Sequence, residues 1–260
     1  MKSLLLNLNP DPGHDARLAA AIALAKSRDG HVICIQTLIA PLTIGDPGTA
    51  AMAPEMMLAM ERAAHEFAGG VEARLEAAGV AWSWIRVFGD PAAIVVSHAR
   101  LADVVILSAQ GANPSIGSVA LHARAPILTV PEKNPGFDVR SPVLIAWNGS
   151  YPCANALRAS LALLRDADGV NILVVDDDNA EFPAARAFDY LSRHGIAAEI
   201  HRRDSDGEPV AEVILTFAQR LEAGSVVAGA FGHNRLREML LGSVTRALLK
   251  GSPIPLLLAH

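Results

Sequence analysis

Apolar residues along this chain come in short unbroken runs. Examples are Val32-Ile33-Cys34-Ile35, Val104-Val105-Ile106-Leu107, Ile172-Leu173-Val174-Val175 and Leu256-Leu257-Leu258. A strand with one wet face alternates apolar and polar positions. An unbroken run marks a strand covered on both faces, as in parallel sheets flanked by helices. Between these runs lie longer segments with apolar or small residues at helical spacing, at 16–26, 55–78, 91–100, 154–164 and 210–221. Strand runs alternating with helical segments predict an α/β protein with right-handed crossovers.

The pattern occurs twice. Leu4-Leu5-Leu6-Asn7-Leu8-Asn9 precedes a turn and the first helical segment, and Val143-Leu144-Ile145-Ala146-Trp147-Asn148 precedes Gly149-Ser150 and another. Asn9 and Asn148 hold the same place after the first strand. Each half also closes alike. Ile106-Leu107-Ser108 leads through Gly117-Ser118 to the run ending at Val130, and Val226-Val227-Ala228-Gly229 leads through Gly242-Ser243 to Leu256-Leu257-Leu258. The halves are assigned as 1–133 and 141–260, with the Pro- and Gly-broken stretch 131–136 as linker. Each half reads β-α-β-α-β-α-β-α-β. The fold class expected is two tandem, doubly wound, parallel five-stranded sheets, Rossmann-like in build. Ligands of such sheets sit at the carboxyl ends of the strands, so functional residues should follow strands one, two and four.

Composition narrows the function. The chain has 260 residues, with 27 acidic against 22 basic side chains and a formal charge of −5. That balance argues against a nucleic-acid binder, which needs a basic face. Two cysteines, Cys34 and Cys153, make neither a disulfide framework nor a thiolate metal site. The opening Met-Lys-Ser-Leu-Leu-Leu imitates a signal peptide only briefly before Asn7, Asn9 and Pro10, and no run approaches the ~18 apolar residues of a membrane span. A cytoplasmic protein without membrane contact is expected.

One constellation carries chemistry. Gly229-Ala230-Phe231-Gly232 follows strand four of the second half, and after nine residues comes Gly242-Ser243-Val244-Thr245. Gly229 and Gly232 are read as allowing positive φ and close backbone approach to a ligand. Gly242 and Ser243 open a helix, where free N–H groups and the dipole favour an anion. Ser243 and Thr245 add hydroxyls, and His233 and Arg235 lie in the intervening loop, where Arg235 would supply charge to a phosphate. The first half departs from this pattern. Ser108 stands for the first glycine, Gly111 keeps the second, and only five residues separate Gly111 from Gly117-Ser118, which reads as an ordinary helix start. No P-loop, no GxGxxG after the first strand, no HExxH and no GxSxG occurs, and no general base stands beside the cradle. No catalytic or metal-ligating residue is therefore assigned.

With Gly229, Gly232, Gly242-Ser243, the stretch from Gly232 to Glu238 and the strand-end Asn148-Gly149-Ser150, the sequence resembles the universal stress protein family in its tandem form. The resemblance implies the adenine nucleotide alpha hydrolase-like variety of the fold. It implies ATP, ADP or AMP, with or without Mg2+, bound in the second half. Gly229, Gly232, Gly242, Ser243, Val244 and Thr245 would meet phosphates and ribose, and the backbone of Val174 and Val175 would meet adenine. The family usually has Asp where this chain has Asn148, which removes a charge. The resemblance also implies that the final strands of the halves pair, giving an internal pseudo-dimer. Association of two chains and the identity of a protein partner stay open. The leading function is nucleotide binding in a stress response. The rivals are an interaction scaffold with an empty cradle, and a weak ATPase.

Other residues draw milder expectations. Asp176-Asp177-Asp178 reads as a solvated acidic turn rather than a Mg2+ site. Met52, Met56, Met57 and Met60 read as core of a long helix rather than an adaptable surface. The stretch 40–54 reads equally as a flap or as disorder. His65 reads as a packing residue. Cys153, near a helix start, has a redox-responsive reading beside the default of packing.

Overall fold

The structure is a computed structural model that describes residues 1–39, 47–110, 114–134, 136–176, 181–230 and 242–260, with side chains of the long second helix described from residue 54. The first half runs β1 (Ser3–Asn7), α1 (His14–Arg28), β2 (His31–Leu38), α2 (Pro47–Ala78), β3 (Ala81–Phe88), α3 (Pro91–His98) with a 3-10 turn at Ala99–Leu101, β4 (Val104–Ser108), α4 (Ile116–His122) and β5 (Ile127–Val130). The second runs β6 (Val143–Ala146), α5 (Tyr151–Asp166), β7 (Val170–Val175), α6 (Ala184–Arg193), β8 (Glu199–Arg203), α7 (Val210–Arg220), β9 (Ser225–Gly229), α8 (Ser243–Gly251) and β10 (Leu256–Ala259). The strand and helix order is the one the repeat predicts.

Each half is a parallel five-stranded unit, and the two are fused. The full order is β3-β2-β1-β4-β5-β10-β9-β6-β7-β8. All neighbours are parallel except β5 and β10, which pair antiparallel through Leu256 with Thr129, Leu257 with Leu128 and Leu258 with Ile127. The expected pairing of final strands is thus a ten-stranded sheet within one chain. The outer edges are β3 and β8. On β8, Glu199, Arg202 and Arg203 are exposed, and charges of this kind discourage edge-to-edge addition.

Burial explains the unbroken runs. Leu4, Leu5 and Leu6 of β1 have no exposed surface, so the opening apolar run is a central strand. Leu4 and Leu6 belong to the packed layer that holds residues of α1, α2, α5 and α6, and Leu5 to the layer with residues of α3, α4, α7 and α8 on the other face. Both packed layers contain residues of both halves. The segment between the halves contributes too, because Phe137, just past the linker, is buried in the α1/α5 face. Between the helices on that face, Arg28 pairs with Asp166 at 2.8 Å and donates to the carbonyl of Ala162.

Helix starts follow local chemistry. Ser150 caps α5, its Oγ accepting from the Cys153 amide at 3.3 Å. Asp90 caps α3, accepting from the Ala93 amide at 2.7 Å, with Pro91 in the first turn. On α2 the packed stripe is Ala64, Ala68, Val71 and Leu75. The methionines lie outside it. Met56 is 45% exposed, its neighbour Leu58 is 53% exposed, and Met57 and Met60 are half-buried. The core reading of these methionines is therefore corrected: among the described side chains of α2, the packed stripe begins only at Ala64. The Met52 side chain and residues 40–46 of the expected flap lie outside the described residues.

Candidate functional site

The second half gathers its predicted residues where β6, β7 and β9 end. Two residues beyond β6, Asn148 turns the chain. Its Oδ1 accepts from the Ser150 amide at 3.1 Å and from the Ser150 hydroxyl at 2.7 Å, while Gly149 takes φ +71°. The same Ser150 hydroxyl caps α5. The sequence thus spends the Asn148 carbonyl on building the turn, as Asx residues commonly do.

A cavity of about 160 Å³ lies beside this turn. Of the predicted residues, Asn148, Val175, Gly229, Gly242, Ser243, Val244 and Thr245 line it. Leu173, Ile214 and Leu248 supply an apolar wall. Val174 is excluded. It alternates to the opposite face, where it is 1% exposed in the layer under α5 and α6.

Gly242 is the N-cap of α8, at φ −55°, with no side-chain cap and no acidic residue in the first turn. The first intrahelical bond runs from the Arg246 amide to the Gly242 carbonyl at 2.9 Å. The earlier amides have no intrahelical acceptor, and the dipole's positive end opens on the cavity rim. Ser243 is exposed there. Thr245 is 5% exposed, and its hydroxyl donates to the Gly229 carbonyl at 2.8 Å. It ties α8 to β9 and holds its hydrogen away from the cavity.

Gly229 is also read differently from its geometry. Among the described residues it is not one of the glycines at positive φ. A Cβ there would stand 2.9 Å from the Cys153 amide nitrogen and 3.0 Å from Pro152 Cβ. Glycine is required because the first turn of α5 presses on β9, not because the chain turns into left-handed space. Gly232, His233 and Arg235 lie outside the described residues, as do Gly111, Asp177 and Asp178. Asp176 is described. At φ +62° its carboxylate accepts from the Ser205 amide at 2.7 Å, which ties the β7 and β8 ends together.

The first half solves the same strand–helix junction with charge. Ser108, at the end of β4, takes the place of Gly229. It accepts from Arg17, whose side chain has no exposed surface. Arg17 also donates to the Asn7 carbonyl at 2.9 Å and to both carboxylate oxygens of Asp11, at 2.8 and 2.7 Å. Burial alone would raise the Asp11 carboxyl. The Arg17 hydrogen bond and charge override it and hold the group below its ordinary range. Sequence reading missed Arg17: within a helical segment, one arginine looks like any solvated residue. Gly117 and Ser118 sit in the first turn of α4, as the ordinary reading has it.

The default of packing holds for Cys153. Burial pushes the Cys153 thiol up to about 12, and its Sγ donates to the Ala146 carbonyl at 3.1 Å. The helix start does not activate it. Cys34 is likewise pushed up to about 12, by burial and then by the charge of Glu72. His65 is exposed rather than packed. Among the described residues, no three His, Cys, Asp or Glu side chains sit together as a metal site, and no helix is long and apolar enough to cross a membrane.

Fold and cavity define a tandem, doubly wound α/β protein with a strand-end cavity beneath a helix N-terminus whose N-cap is a glycine. Residues 140–260 match the model of the universal stress protein family, and the first half repeats the strand and helix order of the second. A universal stress protein of Archaeoglobus fulgidus shares the fold over 99% of this chain and 96% of its own, with a TM-score of 0.74 at 17% identity. A Pseudomonas aeruginosa protein solved under the same family name covers 100% of this chain and 93% of its own, with a TM-score of 0.65 at 15% identity. Universal stress protein Slr1230 of Synechocystis is 27% identical over 170 residues. That match spans 60% of this chain and 57% of the relative, so the chain covers little more than half of that curated protein.

Proposed function

We propose that the second half binds an adenine nucleotide, ATP, ADP or AMP, and that the first half is structural. The observation that carries this reading is the N-terminus of α8, with glycine as its N-cap, at the rim of a cavity with an apolar wall. The amides of the first turn and the Ser243 hydroxyl suit a phosphate. The strip formed by Val175, Leu173 and Ile214 suits a flat base. The volume is below the ~300–1,000 Å³ of a typical small-molecule pocket. It therefore takes part of the nucleotide, and the remainder lies at the open mouth. Asn148 is neutral and its carbonyl is already engaged, so a Mg2+ ion would arrive on the phosphates rather than on a protein carboxylate there. In the first half, Arg17 is committed to Asp11, Ser108 and a backbone carbonyl, which supports a structural role at that junction.

The test begins with protein purified and then denatured. About one adenine nucleotide per chain, found by chromatography and mass spectrometry, is expected. Gly242→Asp keeps a good N-cap but sets a carboxylate against the phosphate. It should reduce binding at least about a hundredfold, by electrostatic repulsion at close range, without lowering the melting temperature. Protein that carries no nucleotide and takes up none with Mg2+ in calorimetry overturns the reading. A scaffold with the same fold would then stand, and one observation already favours it. Asn148 and Thr245 both spend their side chains on internal bonds rather than on the cavity.

A further inference from the structure

A second, larger concavity lies between the halves. It encloses about 780 Å³ next to the amino ends of β4 and β5 and the outward face of α5. A smaller neighbouring hollow shares Arg124 and Arg158 with it and reaches the carboxyl end of β10. Four arginines from three elements converge here. Arg100 comes from the 3-10 turn, Arg124 from the turn before β5, and Arg158 and Arg165 from two turns of α5. All four are exposed. Among the described residues none of the four has a carboxylate partner, whereas Arg17, Arg28, Arg74 and Arg140 each do. The one carboxylate lining the groove, Asp103, is engaged by the amides of Lys2 and Ser3.

Such convergence is unfavourable alone. Four like charges share one concavity in a chain whose formal charge is −5. The first half brings two of them and the second half the other two, so the site exists only because β5 and β10 pair. Arg124 is held at φ +52°, a conformation uncommon for a residue with a side chain. A single carboxylate or phosphate would neutralise one or two of these groups. Several linked anionic groups would engage them all, and guanidinium forks match phosphate oxygens in paired hydrogen bonds. The volume is that of a small-molecule site.

We propose that this groove binds a small oligophosphate, with Arg100, Arg124, Arg158 and Arg165 as its phosphate ligands. The site is separate from the cavity at α8 and does not depend on it. The probe is inorganic tripolyphosphate, titrated into the full chain by calorimetry at low salt, with Gly242→Asp protein as background to silence the α8 rim. Saturable binding near one per chain is expected. The double variant Arg124→Ser, Arg158→Ser should weaken it about tenfold or more at unchanged melting temperature. The control double variant Arg186→Ser, Arg193→Ser, on exposed positions of α6, should leave it unchanged. Competition separates the sources of the phosphates. ATP displacing tripolyphosphate while AMP does not means that the groove reads the phosphate chain of a nucleotide. Displacement by neither means that it reads a free oligophosphate. Absence of saturable binding, or equal weakening in the control variant, overturns the proposal.

Discussion

Two residues that sit in matching places, Gly229 and Ser108, show how one junction can be closed by contact or by charge. At Gly229 the first turn of α5 leaves no room for a Cβ. Gly229→Ala should therefore cost about 1–3 kcal/mol by overpacking, read from urea unfolding, even without any ligand. Thr245→Val should cost about 1 kcal/mol for the lost bond to the Gly229 carbonyl. At Ser108 the seal is Arg17, and its counter-charge is Asp11. Asp11→Asn leaves a buried guanidinium short of that charge. The cost should be roughly 2–3 kcal/mol, less than for a fully buried pair because Asp11 is partly in water. The Asp11 carboxyl is held below its ordinary 3.8, so its contribution is present above that value and fades as pH falls through the lower folded value. The gap between wild type and Asp11→Asn should accordingly narrow in acid. The thiols behave in the opposite sense. Both are raised from 9.0 to about 12, so the unfolded chain ionises first as pH rises. Each thiol should subtract stability at about 1.4 kcal/mol per pH unit between those values. In native protein near pH 8 neither should react with iodoacetamide, and both should once urea is added.

At the scale of elements, the sequence was legible wherever one periodicity decided the outcome. Unbroken apolar runs located the strands, and the Gly149-Ser150 turn located the start of a helix. It was misleading on α2. The methionines at 52, 56 and 60 keep helical spacing, but spacing cannot say which turns of a helix meet the core. The packed stripe starts only at Ala64. Leu75→Ala should cost about 2–5 kcal/mol, whereas Met56→Ala and Leu58→Ala should stay within about 0.5 kcal/mol. Equal losses at both ends of α2 would contradict the exposure of its first turns. The glycines of the second half were legible as a motif, but not in their roles. Gly242 opens a helix as expected, while Gly229 is set by the neighbouring helix, a contact that no local pattern encodes. Arg17 was illegible because helical spacing does not mark a buried arginine and its Ser108 partner lies 91 residues away, and the arginine groove because its members come from both halves.

At the scale of the molecule, the repeat correctly announced two units, but not that they share their interior. Both packed layers contain residues of both halves, and Phe137, just past the linker, joins one of them. The chain should therefore unfold in a single transition, with calorimetric and van't Hoff enthalpies in agreement. Two separated transitions would show that the halves fold independently. The antiparallel pairing of β5 with β10 has a directional consequence. It turns the second half end for end relative to the first. The carboxyl ends of β6, β7, β9 and β10 therefore point the same way as the amino ends of β1, β4 and β5. The α8 rim and the arginine groove face one side of the sheet, while the sealed Asp11–Arg17 turn faces the other. A duplicated chain built from two like units thus has a front and a back, and whatever engages both openings must arrive from the front.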